Sequence, residues 1–287
     1  GFDPDSILKK NKKIIYVGLH GYGEKGVYGG MPAYDDVIQG QSGLAATFMK
    51  KNKEPSLVPS VIADKTIGLI ASTSILSGYI QRLKTRKGLY IEVSMFEGMV
   101  ANIMIEHQFG STFIPPLGSE GYTRVISRNR KPFTTADGYI CMLAYTDKQW
   151  ERFWKITNNK IFLKDNRFSS AAKRLKYIDI IYDITREILL KKTTNEWIYL
   201  LNKAEIPAGR VNKLKDLKND PHLKSLNFFR KYNHPSEGKI IVPDTGIKIN
   251  RKSLPIRIPQ PNLGEHNKEI FSKLGYSDKE IEDLLKL

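Results

Sequence analysis

Apolar residues change their period several times along this chain, and each change marks an element. Residues 4–10 read as a short helix or loop. Residues 13–19 then have the apolar density of a strand and run into a glycine-rich loop, GLHGYGEKGVYGG. Over residues 34–49 Val37, Ile38, Leu44 and Phe48 return at helical spacing, with Gly40 and Gly43 allowing close packing. A stronger helix follows an apolar run at 58–63. Asp64 is its expected N-cap, Ile67, Ile70, Ser74, Ile75, Tyr79 and Leu83 its expected inner face, and Lys87-Gly88 its end. The strand LYIEV comes next, and residues 95–109 are apolar enough for a buried helix. Strand, helix, strand, helix indicates an α/β layer.

Pro115, Pro116, Gly118 and Gly121 interrupt that pattern, and the basic stretch TRVISRNRKP reads as an exposed connector at a domain boundary. A different unit opens at Phe133, with a turn at Ala136-Asp137-Gly138 and a strand over 139–144. A helix follows from Asp147, with Trp150, Phe153 and Trp154 on its apolar side. Further helices are predicted over 170–191 and 194–204, short strands near Ile240 and Ile247, and closing helices over 267–274 and 278–285. No internal repeat or low-complexity tract is visible.

Composition narrows the class. An apolar content of 40% in 287 residues fills a core. The longest apolar run, 67–80, is broken by Ser72, Thr73, Ser74, Ser77 and Gly78, which argues against a membrane span. The lone Cys141, between Ile140 and Met142, reads as a core residue. A single cysteine cannot close an internal disulfide, which fits a reducing, cytoplasmic compartment. The chain starts at Gly1 without a signal pattern, which leaves a targeting segment upstream open. The formal charge of +16 invites a nucleic-acid reading, but the lysines are spread from Lys9 to Lys286 and match no nucleic-acid motif. The same field serves a phosphate-bearing small ligand equally well.

Few residues stand out as chemistry. Gly21, Gly23 and Gly26 satisfy G-x-G-x-x-G after a strand, but Gly29, Gly30 and Pro32 prevent the helix that a dinucleotide site requires at the third glycine. The loop is a tight or mobile turn. His20, His107, His222, His234 and His266 are scattered without metal-ligand spacing, so no metal is expected. Asp64 is the one acid placed between an apolar run and a helix start, where the helix dipole favours negative charge. A structural cap and a catalytic carboxylate are both open to it.

Longer segments carry a resemblance. KIIYVGLHGYGEKGVYGGMPAYDDVIQGQSGLA, followed by VPSVIADKTIGLIASTSILSGYIQRLKTRKGLYIEVSMFEGMV, resembles the central part of the class III (CaiB/BaiF) CoA-transferases. FTTADGYICMLAYTDKQWERF, EWIYLLNKAEIPAGRVN and LGEHNKEIFSKLGYSDKEIEDL are similar to later family segments, in the same order. The resemblance implies a Rossmann-like large domain split in sequence around a smaller α+β domain. Residues 1–110 would be its first part, 111–208 the linker and small domain, and 209–287 the return linker and the rest of the large domain. It also implies interlocked homodimers, and an opening strand–helix region of the family that this chain lacks before Gly1.

The implied reaction moves coenzyme A between a CoA thioester and a small carboxylic acid through Asp64. Thioester is exchanged for thioester, so the chemistry needs no ATP, metal or permanently bound cofactor; acyl-CoA is the substrate. By the same resemblance Pro32, Ala33, Tyr34 and Asp35 line the CoA pocket, Tyr34 touching CoA and Asp35 orienting the loop, unless Tyr34 packs in the core. The glycine loop of Gly21, Gly23 and Gly26 shields the intermediates or donates N–H groups to an oxyanion. α-Methylacyl-CoA racemases of this fold carry a histidine in Tyr34's place, and a tyrosine titrates too far from neutrality for that proton transfer. A racemase-like isomerase and a noncatalytic CoA- or nucleic-acid-binding protein remain the alternative readings.

Overall fold

The computed structural model describes residues 2–286. The chain divides into two units, the first ending at Val211 and the second starting at Asn212. The first unit opens with helix α1 (Pro4–Lys10), capped by the Asp3 carboxylate, which accepts the Ser6 N–H at 2.9 Å. Strand β1 (Ile15–His20) leads into the glycine loop, and α2 (Asp35–Gln41) follows. The single helix expected over 34–49 does not form. Gly43 takes a φ of +87°, which breaks the helix after about two turns, and the chain continues as a 3₁₀ turn (Ala45–Phe48) and the short α3 (Met49–Asn52).

The long helix α4 (Ile62–Thr85) ends where Arg86 turns left-handed. It leads to strand β2 (Leu89–Ser94), helix α5 (Met95–His107) and the short α6 (Thr123–Ile126). β1 and β2 pair in parallel, Ile15 opposite Leu89 through to His20 opposite Ser94, so α4 is the crossover that returns the chain to the start of the sheet. This is an α/β arrangement.

The face of α4 that packs matches the expected one only at its start, where Ile67 is buried and Ile70 packs against the core. Ala63, Ile67, Ala71 and Gly78 are buried, whereas Ile75, Tyr79 and Leu83 are exposed. Small residues mark the contact because neighbours come close. A Cβ on Gly78 would stand 2.8 Å from the Ile91 side chain, and one on Gly98 of α5 would stand 2.5 Å from Ile67 Cδ1. Tyr22, Ile38, Val93, Met99 and Ile103 complete this core.

A second core in the same unit is built around an antiparallel sheet. β3 (Phe133–Thr134) and β4 (Tyr139–Met142) form a hairpin. Helices α7 (Asp147–Ile156), α8 (Ala171–Lys176), α9 (Ile178–Leu189) and α10 (Thr194–Lys203) follow, and β5 (Ala208–Arg210) pairs with β4. Trp150, Phe153 and Trp154 are buried on α7, as its spacing predicts. The helix expected over 170–191 is interrupted at Tyr177, giving α8 and α9. Cys141 is not in the core. β4 alternates, Ile140 and Met142 pointing inward, and Cys141 is exposed. The basic stretch after Gly121 is not an exposed connector either. Ser127 and Asn129 are buried against α9, where the Ser127 hydroxyl donates to Asp179 at 2.6 Å and Asn129 donates to the Asp179 carbonyl at 3.3 Å.

The second unit contains α11 (Pro221–Ser225), the hairpin β6 (Phe229–His234) and β7 (Gly238–Pro243), and a two-residue hairpin of β8 (Lys248–Ile249) and β9 (Lys252–Ser253). Asn250 and Arg251 supply the positive φ values its tight turn requires. Helices α12 (Asn267–Lys273) and α13 (Asp278–Leu284) end the described chain. Among the described residues no helix is long and apolar enough to cross a membrane.

Candidate active site

The parallel pair orients the site. α4 runs opposite to β1 and β2, its C-terminal half lying on the strand starts, where Gly78 meets Ile15 and Leu89. Its N-terminus therefore lies towards the carboxyl ends of the strands, where ligands bind in parallel α/β sheets. The glycine loop leaves β1 at that same end, and the Phe96 N–H at the start of α5 donates to the Gly21 carbonyl at 3.0 Å. Tyr22, Ile38 and Ala63 share one apolar cluster, which brings the loop, α2 and the start of α4 together.

Asp64 is not the N-cap. Val61 holds that position without a side-chain hydrogen bond, and Asp64 sits in the first helical turn. The cap comes from another element. Asp35 Oδ2, on α2, accepts the Asp64 backbone N–H at 3.0 Å, taking one of the donors that a helix start leaves free. Asp35 Oδ1 accepts Gln39 Nε2 at 2.5 Å, one helical turn along. Gln39 is 0% exposed and fixes the approach to α4, its Oε1 accepting the Val58 N–H at 2.8 Å and its Nε2 donating to the Ser60 carbonyl at 3.2 Å. The Asp64 side chain is exposed, and none of the described residues donates a hydrogen bond to its carboxylate. A buried polar clamp thus holds the backbone of Asp64 while its carboxylate faces outward, an arrangement suited to a nucleophile.

The glycine loop is pinned at its root and open at its tip. Tyr22 is buried against Tyr28 and Phe96, and its hydroxyl donates to Gln41 at 2.6 Å. The Gly23 N–H donates to Glu97 at 2.9 Å and the Glu24 N–H to Glu92 at 2.8 Å. Partial burial alone would raise the Glu97 carboxyl, but the Ser94 hydroxyl and the Gly23 N–H outweigh it and hold Glu97 below its ordinary range. Partial burial and a 2.7 Å hydrogen bond to Glu24 push the Tyr90 phenol up to about 12, so it remains a donor across the neutral range.

Successive turns, Gly26 N–H to the Gly23 carbonyl and Gly29 N–H to the Gly26 carbonyl, both 2.9 Å, carry the loop outward. Gly29 has no room for a side chain, since a Cβ would lie 2.3 Å from the Glu24 carbonyl oxygen. No helix opens at Gly26, in keeping with the rejected dinucleotide fingerprint.

Of the four residues expected along a CoA pocket, Pro32 is exposed and Ala33 packs on the core beneath Gly21. Tyr34 is 80% exposed at the start of α2, not packed in the core. Asp35 is buried, and its carboxylate anchors the start of α4. The described residues hold no cluster of three or more metal-ligating side chains.

The profile of CoA-transferase family III matches residues 1–267 of the chain. The chain belongs to CoA-transferase family III. Among the relatives of this family-III chain, a human succinyl-CoA:glutarate CoA-transferase is 28% identical over 95% of the chain and 62% of its own length. An (R)-2-hydroxy-4-methylpentanoate CoA-transferase from Clostridioides difficile is 25% identical, over 98% of the chain and 71% of its own length. A crystal structure of a CaiB/BaiF family protein from Brucella suis shares the fold with a TM-score of 0.71 at 24% identity, covering 95% of the chain and 71% of that protein. The chain spans less than two thirds of the human relative's length.

Sequence reasoning missed Gln39, Glu92 and Glu97 in this family-III chain. Gln39 carried a signal in its i, i+4 spacing from Asp35 on an apolar helix. The two glutamates carried none, because their partners are backbone N–H groups 68 and 74 residues away in the chain.

Proposed function

We propose that the protein transfers coenzyme A from an acyl-CoA to a free carboxylic acid, with Asp64 as the nucleophile. The Asp64 carboxylate attacks the donor thioester carbonyl, giving a mixed anhydride and CoA thiolate. The thiolate attacks the aspartyl carbonyl of the anhydride, releasing the donor acid and leaving CoA as a thioester on Asp64. The acceptor carboxylate attacks that thioester, again freeing CoA thiolate, which takes the acceptor acyl group from the new anhydride and restores the carboxylate. Every step exchanges one activated acyl group for another, so the site must keep water out.

The observation that carries this reading is the clamp of Asp35 and Gln39, which fixes the Asp64 backbone and leaves its carboxylate exposed. In this reading the glycine loop of Gly21, Gly23 and Gly26 covers the intermediates, its pinned root limiting its travel. Pro32 and the exposed Tyr34 face the CoA, with Ala33 supporting them from the core beneath the loop, and the working unit is a homodimer. The isomerase alternative lacks a histidine at position 34 to share a proton with Asp64.

Exchange of an isotope-labelled free acid into acyl-CoA, measured over a panel of short carboxylic acids, tests the activity. Label should enter the CoA ester with wild-type protein and not with Asp64→Ala. Solvent deuterium entering the α-position without acid exchange would support the isomerase instead.

A further inference from the structure

Away from Asp64, the first unit contains a pocket of about 280 Å³ between the β3–β4–β5 sheet and helices α8 and α9. That is close to the lower end of the range for small-molecule sites, about 300–1,000 Å³. Phe133 and Met142 of the sheet and Leu175 and Ile178 of the helices give it an apolar body. None of its lining residues belongs to the glycine loop, α2 or α4.

Among the described residues, one hydroxyl in its wall is without a hydrogen-bond partner, and one guanidinium is without an ion-pair partner. Thr185, in the middle of α9, is 0% exposed, and its hydroxyl has no hydrogen-bond partner. A threonine in a helix ordinarily satisfies its hydroxyl on the carbonyl four residues back, and a buried hydroxyl without any partner is costly. Arg124, half-buried, forms no ion pair with any described carboxylate. Its guanidinium lies 5.4 Å from the Tyr122 ring centre and 5.7 Å from that of Tyr145, and Nε donates to the Tyr122 hydroxyl at 3.2 Å. The other arginine of the wall is committed, since Arg174 pairs with Asp147 and donates to the Phe168 carbonyl at 2.9 Å. Burial pushes the Tyr182 phenol up in spite of the Arg124 and Arg130 charges and its hydrogen bond with Arg124, so Tyr182 adds no negative charge to the wall beside Arg124.

We propose that this pocket binds a small carboxylic acid with an apolar or aromatic body, its carboxylate on the Arg124 guanidinium and a second polar group on the Thr185 hydroxyl. An inorganic anion would leave the apolar walls unfilled, and a purely apolar molecule would leave both polar groups unmet. The site is separate from Asp64 and does not depend on transfer activity.

Titration calorimetry on the chain tests it with 4-hydroxybenzoate, benzoate and benzamide, and with 5-hydroxypentanoate, pentanoate and pentanamide as an aliphatic set. The hydroxy acids should bind best, the plain acids less well and the amides not measurably. Arg124→Gln should weaken the acids by about tenfold or more. Thr185→Val should bring each hydroxy acid down to its plain acid while raising the melting temperature of the free protein. Asp64→Ala should bind like wild type. The proposal falls if no acid of either set binds, if the amides or sulfate bind as well as the acids, or if binding vanishes with Asp64→Ala. It also falls if both Arg124→Gln and Thr185→Val, shown folded by circular dichroism, bind the hydroxy acids unchanged.

Discussion

Asp64 owes its position to an acceptor on another helix: the Asp35 carboxylate takes its backbone N–H, so the Asp64 side chain need not cap its own helix. Had Asp64 been the N-cap, its carboxylate would have been turned back onto the N–H groups of the first turn and engaged there. Glu97 does a similar service for the glycine loop by accepting the Gly23 N–H. Because its carboxyl lies below the ordinary value of 4.5, this hold is present in full above pH 4.5 and is lost only as pH falls through the lowered value. The Gly23 amide resonance, followed by NMR from neutral pH downwards, should therefore stay put through pH 4.5 and move below it. A midpoint at or above 4.5 would mean that the hydrogen bond does not hold the loop in solution.

Between elements, Gln39 ties α2 to the segment leading into α4. Gln39→Leu keeps the volume but strands the Val58 N–H and one oxygen of Asp35, which should cost about 1–3 kcal/mol in urea unfolding. It should also slow CoA transfer, as the start of α4 loses its support. Unchanged stability and rate would show that the approach to α4 is held by other contacts.

At this scale the sequence was partly readable. The strand, loop, helix, strand order around Asp64 followed from apolar period, and α7 from its tryptophans. Of the packed face of α4 only Ile67 and Ile70 followed; Ala63, Ala71 and Gly78 did not, because they are buried by close approach to neighbours, a quantity hydropathy does not encode. The break after α2 turned on the left-handed Gly43, and the docking of residues 127–129 on hydrogen bonds to Asp179. Neither is periodic. Asp64 stood out by its position before a helix, but its role rested on family resemblance, and its support by Asp35 became visible only in three dimensions.

For the whole molecule, the charge of +16 sets up a long-range field that attracts a substrate carrying phosphates. Spread lysines act through a long-range field that salt screens, with a Debye length of about 10 Å at 0.1 M. The KM for acyl-CoA should rise steadily as sodium chloride increases, while kcat changes little. A KM independent of salt would place CoA recognition in close contacts shielded from solvent and salt instead. Duplex DNA, by contrast, should not bind in competition with acyl-CoA at physiological salt.

The central claim is that Asp64 carries the activated acyl group and then CoA. Its most direct test is mass spectrometry of the protein after incubation with acyl-CoA and hydroxylamine, which converts an anhydride or thioester of an aspartate into a hydroxamate. The account predicts a modified peptide containing Asp64 in the wild type, and none in Asp64→Ala. Modification at another residue, or transfer activity in Asp64→Ala at the wild-type rate, would contradict it.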